Sequence, residues 1–133
     1  MAINTLLQAN VTDKIIGSFF EVYRELGYGF LESVYANAMA IELGRRNQAV
    51  RREVPVQVYY AGVAVGTFCF DMLVEEVVLV EVKSTEQMSD ADERQLLNYL
   101  RASSIEVGLL LHFGPEPKYK RLVYSNSRKQ RIE

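Results

Sequence analysis

At 133 residues and 49% hydrophobic side chains, the chain has room for one domain over residues 1–133 with one substantial core, and needs no covalent staples. A net charge of −2 argues against the basic coat of a nonspecific nucleic-acid binder, and a single cysteine, Cys69, excludes an internal disulfide and any four-cysteine metal centre. A reducing, cytoplasmic setting is therefore expected, and a soluble protein with it, because no apolar run approaches the roughly 20 residues of a membrane span.

The elements follow in chain order. Thr12 is placed to cap a helix whose apolar residues Ile15, Phe19, Val22, Tyr23 and Leu26 keep helical spacing, and Gly27-Tyr28-Gly29 ends it. A second helix is predicted from about Leu31 to Leu43, with Leu31, Val34, Tyr35 and Ala38 on one stripe and Gly44 beyond its end. Val54, Val56, Val58 and Tyr60 then alternate with Glu53, Gln57 and Tyr59, the pattern of a half-buried strand, and Pro55 assigns that strand to a sheet edge. Ala61-Gly62 turns the chain into a second strand, Val63 to Asp71, and Glu75-Glu76 turns it into an apolar third, Val77 to Lys83, completing an antiparallel meander. Ser89 and Asp92 fit a capping box for a helix running to about Ala102. Val107 to Phe113 and Tyr119 to Tyr124 read as two last strands, separated by Gly114-Pro115-Glu116-Pro117. The predicted architecture is α/β, with a mixed sheet of about five strands flanked by helices.

Ten of the fifteen basic residues fall in two segments, one of Arg45, Arg46, Arg51 and Arg52, the other of Lys118, Lys120, Arg121, Arg128, Lys129 and Arg131. Such clusters offer phosphate contacts despite an acidic total, or equally a solvated surface with a basic tail. His112, the only histidine, lies in an apolar strand and is read as a structural residue. Cys69, between Phe68 and Phe70, is read as a small packed hydrophobe.

The chemistry concentrates on the second and third strands. Glu81 and Lys83 are two apart, so they share a strand face, and Asp71 on the neighbouring strand brings a second carboxylate beside Glu81. Two acids and an ammonium at the end of apolar strands are costly to desolvate unless their charge is compensated, which asks for a divalent cation. The competing explanation makes Asp71 a turn-capping residue and Glu81 with Lys83 a surface ion pair, but a strand as apolar as Val77 to Val82 is a poor edge.

In this order and spacing, Asp71 and Glu81-Val82-Lys83 on successive strands followed by a helix, the chain resembles the PD-(D/E)XK nuclease superfamily. Phe70 stands where the superfamily's name has proline. Gly29-Phe30-Leu31-Glu32-Ser33-Val34-Tyr35 resembles the signature of the GxxExxY family within that superfamily, and Gln95 with Tyr99 resembles the Gln-x-x-x-Tyr motif of its exonuclease-like members. The resemblance implies a restriction-endonuclease-like core and a metal-dependent nuclease. Asp71, Glu81 and the Val82 carbonyl would ligate Mg²⁺ or Mn²⁺, which would activate a water for attack on phosphorus. Lys83 would position that water or stabilise developing charge, and Gln95 and Tyr99 would line the active site. Glu32 would complete the metal set, its alternative being a first-turn acid facing the helix dipole, while Tyr35 reads as core with its hydroxyl on a polar partner. The implied partner is nucleic acid, DNA before RNA, and analogy with small nucleases adds a homodimer. The runner-up is a non-catalytic nucleic-acid-binding or regulatory module on the same fold, and a third reading is a protein-interaction domain whose acids and Lys83 form only an ion-pair network.

Overall fold

Three helices, five strands and a short terminal turn account for residues 7–129, the part of the chain that the computed structural model describes. The first helix, α1 (Ala9–Leu26), starts a turn earlier than the sequence predicts, because the Gln8 carbonyl already accepts from the Val11 and Thr12 amides. Thr12 therefore sits inside the helix, buried, with its hydroxyl donating to the Ala9 carbonyl. In α2 (Glu32–Arg45) the buried stripe is Tyr35, Ala36, Met39 and Leu43, a turn-to-turn row that leaves out the predicted Leu31. Leu31 precedes the first helical turn and is 77% exposed.

The strands β1 (Val50–Tyr60), β2 (Val63–Val74) and β3 (Val78–Lys83) form the expected meander, with Ala61 and Gly62 at positive φ in the first turn and Glu75 and Glu76 in the second. The second turn falls at Glu75-Glu76 as predicted, but the strand before it is longer than expected. Met72, Leu73 and Val74 pair with Val80, Leu79 and Val78, so β2 continues three residues past Asp71 before the chain reverses. The helix α3 (Asp90–Ala102) then carries the chain over one face of the sheet to β4 (Val107–Phe113), which runs parallel to β3, and β5 (Pro117–Val123) returns antiparallel. The result is a mixed sheet in the order β1-β2-β3-β4-β5, with β3 at its centre and β1, which holds Pro55, at an edge.

Alternation sorts the sheet's side chains to two cores. Val78, Val80 and Val82 of β3 pack with Leu109, Leu111, Met72 and Val74 against α1 and α2, whereas Leu79 packs with Leu73, Leu110, Leu96 and Leu100 under α3. Glu81 and Lys83, in phase with Leu79, fall on the α3 face. One local irregularity reassigns faces near the site. Along β1, Val50 packs with the α1/α2 core but Val54 with the α3 core; along β2, Met72 belongs to the first and Phe70 to the second. Both switches bracket Glu53 and Asp71, which the β1–β2 pairing skips, and Glu53 adopts φ 53°. The kink thus brings Asp71 to the point where two strands leave strict alternation.

Candidate active site

Asp71 and Glu81 meet where β2 and β3 part. Their pairing ends at Met72 and Val80, and continuing that register sets Asp71 opposite Glu81. Beyond it, side chains replace the ladder: the Val82 amide donates to Asp71 Oδ2 at 2.7 Å and the Asp71 amide donates to Glu81 Oε1 at 3.3 Å. Two backbone donors that a continuing sheet would have used are satisfied by carboxylates, and each carboxylate is held by one oxygen. Glu81 is only 7% exposed. Burial, and next the charge of Asp71, push its carboxyl up to about 9, and the opposing pull of Lys83 does not reverse this.

Lys83 reaches back along its own strand, its Nζ 3.8 Å from Glu81 Oε2 and 3.8 Å from Asp92 Oδ1 in the first turn of α3. This contact was not legible in the sequence, where Asp92 fits a capping box. In the structure Ser89 Oγ accepts from the Ala91 amide as predicted, but the Asp92 carboxylate turns to Lys83 instead of closing the box. Glu32 lies just past the strand end, its Oε2 accepting from the Ser84 amide at 3.2 Å, while Ser84 Oγ donates to the Phe30 carbonyl at 2.7 Å. The loop that carries Glu32 is held from below. The Tyr35 hydroxyl donates to the Gly27 carbonyl and accepts from the Phe30 amide, with its ring stacked on Phe113 at 4.2 Å, and Gly29 takes φ 116°, a conformation that a side chain would strain. Tyr35 is core with a polar tether, as its sequence context predicts.

A family model described as the PD-(D/E)XK nuclease superfamily matches residues 9–122. The chain belongs to the PD-(D/E)XK nuclease superfamily. Its mixed five-stranded sheet between helices is the superfamily's restriction-endonuclease-like core. A solved structure titled "Crystal structure of SSO0001" is similar at 15% identity and a TM-score of 0.48, over 90% of this chain and 81% of that one. The curated proteins contain no match.

For a member of this superfamily the question is whether the residues suit a metal. Among the described residues no three His, Cys, Asp or Glu side chains form a ready cage. The pair Asp71 and Glu81 nonetheless suits a hard cation that keeps most of its water: Mg²⁺ is commonly held by one or two carboxylates with substrate phosphate completing its shell. The donors are all oxygen, and Glu81, buried beside Asp71, is not sufficiently compensated by Lys83.

Gln95 and Tyr99 lie on the α3 face that begins with Asp92, at spacings of three and four residues. Tyr99 packs on Phe68 and Phe70, with ring centroids 5.4 and 5.6 Å away, and so connects α3 to the residue before Asp71. His112 is buried, its Nε2 2.9 Å from Thr85 Oγ1 and its Nδ1 without a partner. Because the Thr85 hydroxyl donates to Gln87, it accepts from His112, which leaves the bare lone pair on Nδ1; burial lowers the pKa of this ring. Cys69 is exposed, not packed, because it alternates with Phe68 and Phe70, which α3 covers, and so falls on the opposite face of β2. The first basic cluster is mostly spent on acids: Arg45 and Arg46 pair with Glu42, Arg51 makes a two-pronged contact with Glu76 at 3.0 Å, and Arg52 donates to Asn37. In the second, Lys120 pairs with Glu93, Lys129 donates to the Ser103 and Ile105 carbonyls, and Arg121 donates to the Leu7 carbonyl; Arg131 lies outside the described residues.

Proposed function

We propose that this chain is a divalent-metal-dependent nuclease that hydrolyses phosphodiester bonds in DNA, a member of the GxxExxY family, acting as a single domain in a homodimer. The observation that carries the reading is the pair of carboxylates at the β2–β3 divergence, each anchored to a backbone amide with Lys83 beside them. Asp71, Glu81 and the Val82 carbonyl would hold Mg²⁺ or Mn²⁺, and the cation would supply an activated water and offset charge on the phosphate. Asp71 and Glu81 act as fixed oxygen donors, since one oxygen of each is already committed to the backbone and the other is left for the ion. Lys83, steered by Glu81 and Asp92, presents its ammonium toward the scissile phosphate and stabilises the negative charge that grows there. Glu32 likewise commits one oxygen, Oε2, to the Ser84 amide, and its other oxygen joins the ion directly or through water. Gln95 and Tyr99 line the approach along α3. The pattern Gly29, Glu32, Tyr35 supports the family assignment, because each residue has a distinct task in the loop that leads to β3's end.

The test is a cleavage assay in Mn²⁺ against duplex, single-stranded and branched DNA, with RNA as a control. Wild type should cut at least one DNA, and Asp71→Asn should cut none. Binding without cleavage would favour the regulatory module, and neither binding nor cleavage the protein-interaction domain.

A further inference from the structure

A cleft of about 730 Å³ opens on the α3 side of the sheet, between α3, the far end of β1 and the turn that follows β5, lined by Tyr59, Asn98, Tyr99, Arg101, Tyr124 and Arg128 among others. We propose that it binds an unpaired DNA strand, stacking a base on its tyrosines and holding the adjoining phosphates on its arginines. The inference rests on the nuclease reading and names the form of DNA that reaches its site.

Three observations carry it. The first is composition: three tyrosines and two arginines line the cleft, and no acidic side chain does. Aromatic faces beside cations are the recurring means of holding single strands, because every base has a face to stack and every linkage a charge to neutralise. The Tyr59 hydroxyl is already bound to Gln57 at 2.8 Å, so what Tyr59 has left to offer is its half-exposed ring. The Arg128 guanidinium lies 4.6 Å from the centre of the Tyr124 ring, already in the stacked arrangement that a base could extend.

The second is charge left free. The first basic cluster is mostly paired with acids, whereas among the described residues neither Arg101 nor Arg128 has an ion-pair partner. The turn that carries Arg128 (Asn126–Arg128) is pinned, for Lys129 donates to the Ser103 and Ile105 carbonyls at 2.7 and 2.8 Å and the Asn126 amide donates to Glu106. A cation held on a pinned turn costs less entropy to engage than one on a loose tail.

The third is position. Asp92, Gln95 and Tyr99 share one face of α3, and Asp92 reaches Lys83 at 3.8 Å. From Asp92 to Tyr99 the helix rises roughly 10 Å at 1.5 Å per residue. A strand lying along that face, with one base in the cleft, would thus present a linkage only a few nucleotides away to the carboxylate pair. A duplex hides its base faces within the stack, so it could use the arginines but not the tyrosines.

The experiment measures fluorescence anisotropy of a labelled oligothymidylate and of a duplex of equal length, in EDTA so that cleavage cannot intervene. Tyr59→Ala and Tyr124→Ala should each weaken strand binding by about fivefold to a hundredfold while leaving duplex binding unchanged. Tyr59→Phe, which keeps the ring, should bind as wild type does, and because Tyr59 is a half-exposed surface side chain its variants report on binding and not on folding. Equal losses on strand and duplex, unchanged strand affinity in both alanine variants, Tyr59→Phe as weak as Tyr59→Ala, or no strand binding by wild type would each overturn the proposal. The nuclease reading fails separately, by absence of cleavage in Mn²⁺ from a wild type whose strand binding still depends on Tyr59.

Discussion

Glu81 holds its proton well above the usual carboxylate range, because burial and the adjoining Asp71 make ionisation costly in the metal-free chain. The consequence for stability has a definite sign. Below about 4.5 the group is protonated in both folded and unfolded chains; between there and about 9 only the folded chain keeps the proton, so folding takes one up and stability falls as pH rises through that window. Glu81→Gln should remove this component. Urea melts from pH 5 to 9 should show wild type losing stability relative to the variant by up to about 1.4 kcal/mol per pH unit, and parallel profiles would contradict the assignment. Lys83 gives a kinetic prediction at the same scale. Its ammonium acts on charge that exists only in the transition state, so Lys83→Ala should lower kcat by on the order of a hundredfold and leave DNA affinity within a few-fold, as single-turnover cleavage and anisotropy would measure. A loss of affinity as large as the loss of rate would make Lys83 a binding residue instead.

At the scale of elements, the loop between α1 and α2 is tied to the core through the Tyr35 hydroxyl and to the end of β3 through Ser84. Tyr35→Phe keeps the ring on Phe113 but leaves the Gly27 carbonyl and Phe30 amide without their partner, a cost of about 1 kcal/mol. Hydrogen exchange should quicken at Phe30 and, through Glu32, at Ser84; protection equal to wild type at both amides would show that the loop holds itself. What the sequence discloses here is what local pattern encodes. Glu81, Lys83 and Asp71 were legible because strand alternation and a short hairpin fix their relation. Asp92 was misread because its capping role is local while its contact with Lys83 crosses from helix to sheet. The same blindness covers the arginines: Arg51 looks free beside Arg52 until the hairpin brings Glu76 to it. Thr12 resembles a cap from composition alone, yet backbone bonding from Gln8 had already begun the helix. The switch of faces at Glu53 and Asp71 leaves no mark that spacing rules detect, since it depends on how two strands pair.

For the whole molecule, the sheet's five strands divide their work. β3 and β4 run parallel through the middle and are buried along nearly their whole length, while the β1–β2 hairpin reaches beyond the helices and exposes Tyr60 at 73%, Val63 at 63% and Val65 at 62%. An apolar edge of this kind invites pairing with a second copy. Light scattering at micromolar concentration should therefore report a dimer, and Val65→Lys should convert it to a monomer; a monomeric wild type would remove the dimer from the account. None of the described helices is long and apolar enough to cross a membrane. The central claim, that Asp71 and Glu81 together hold a divalent cation, is tested most directly by calorimetric titration of Mn²⁺ into the protein at pH 7 in buffers of different ionisation enthalpy. One ion should bind with release of about one proton, the one that Glu81 keeps in its absence, and Asp71→Asn should abolish the binding heat. Absence of heat in wild type, or an undiminished isotherm in Asp71→Asn, would contradict it.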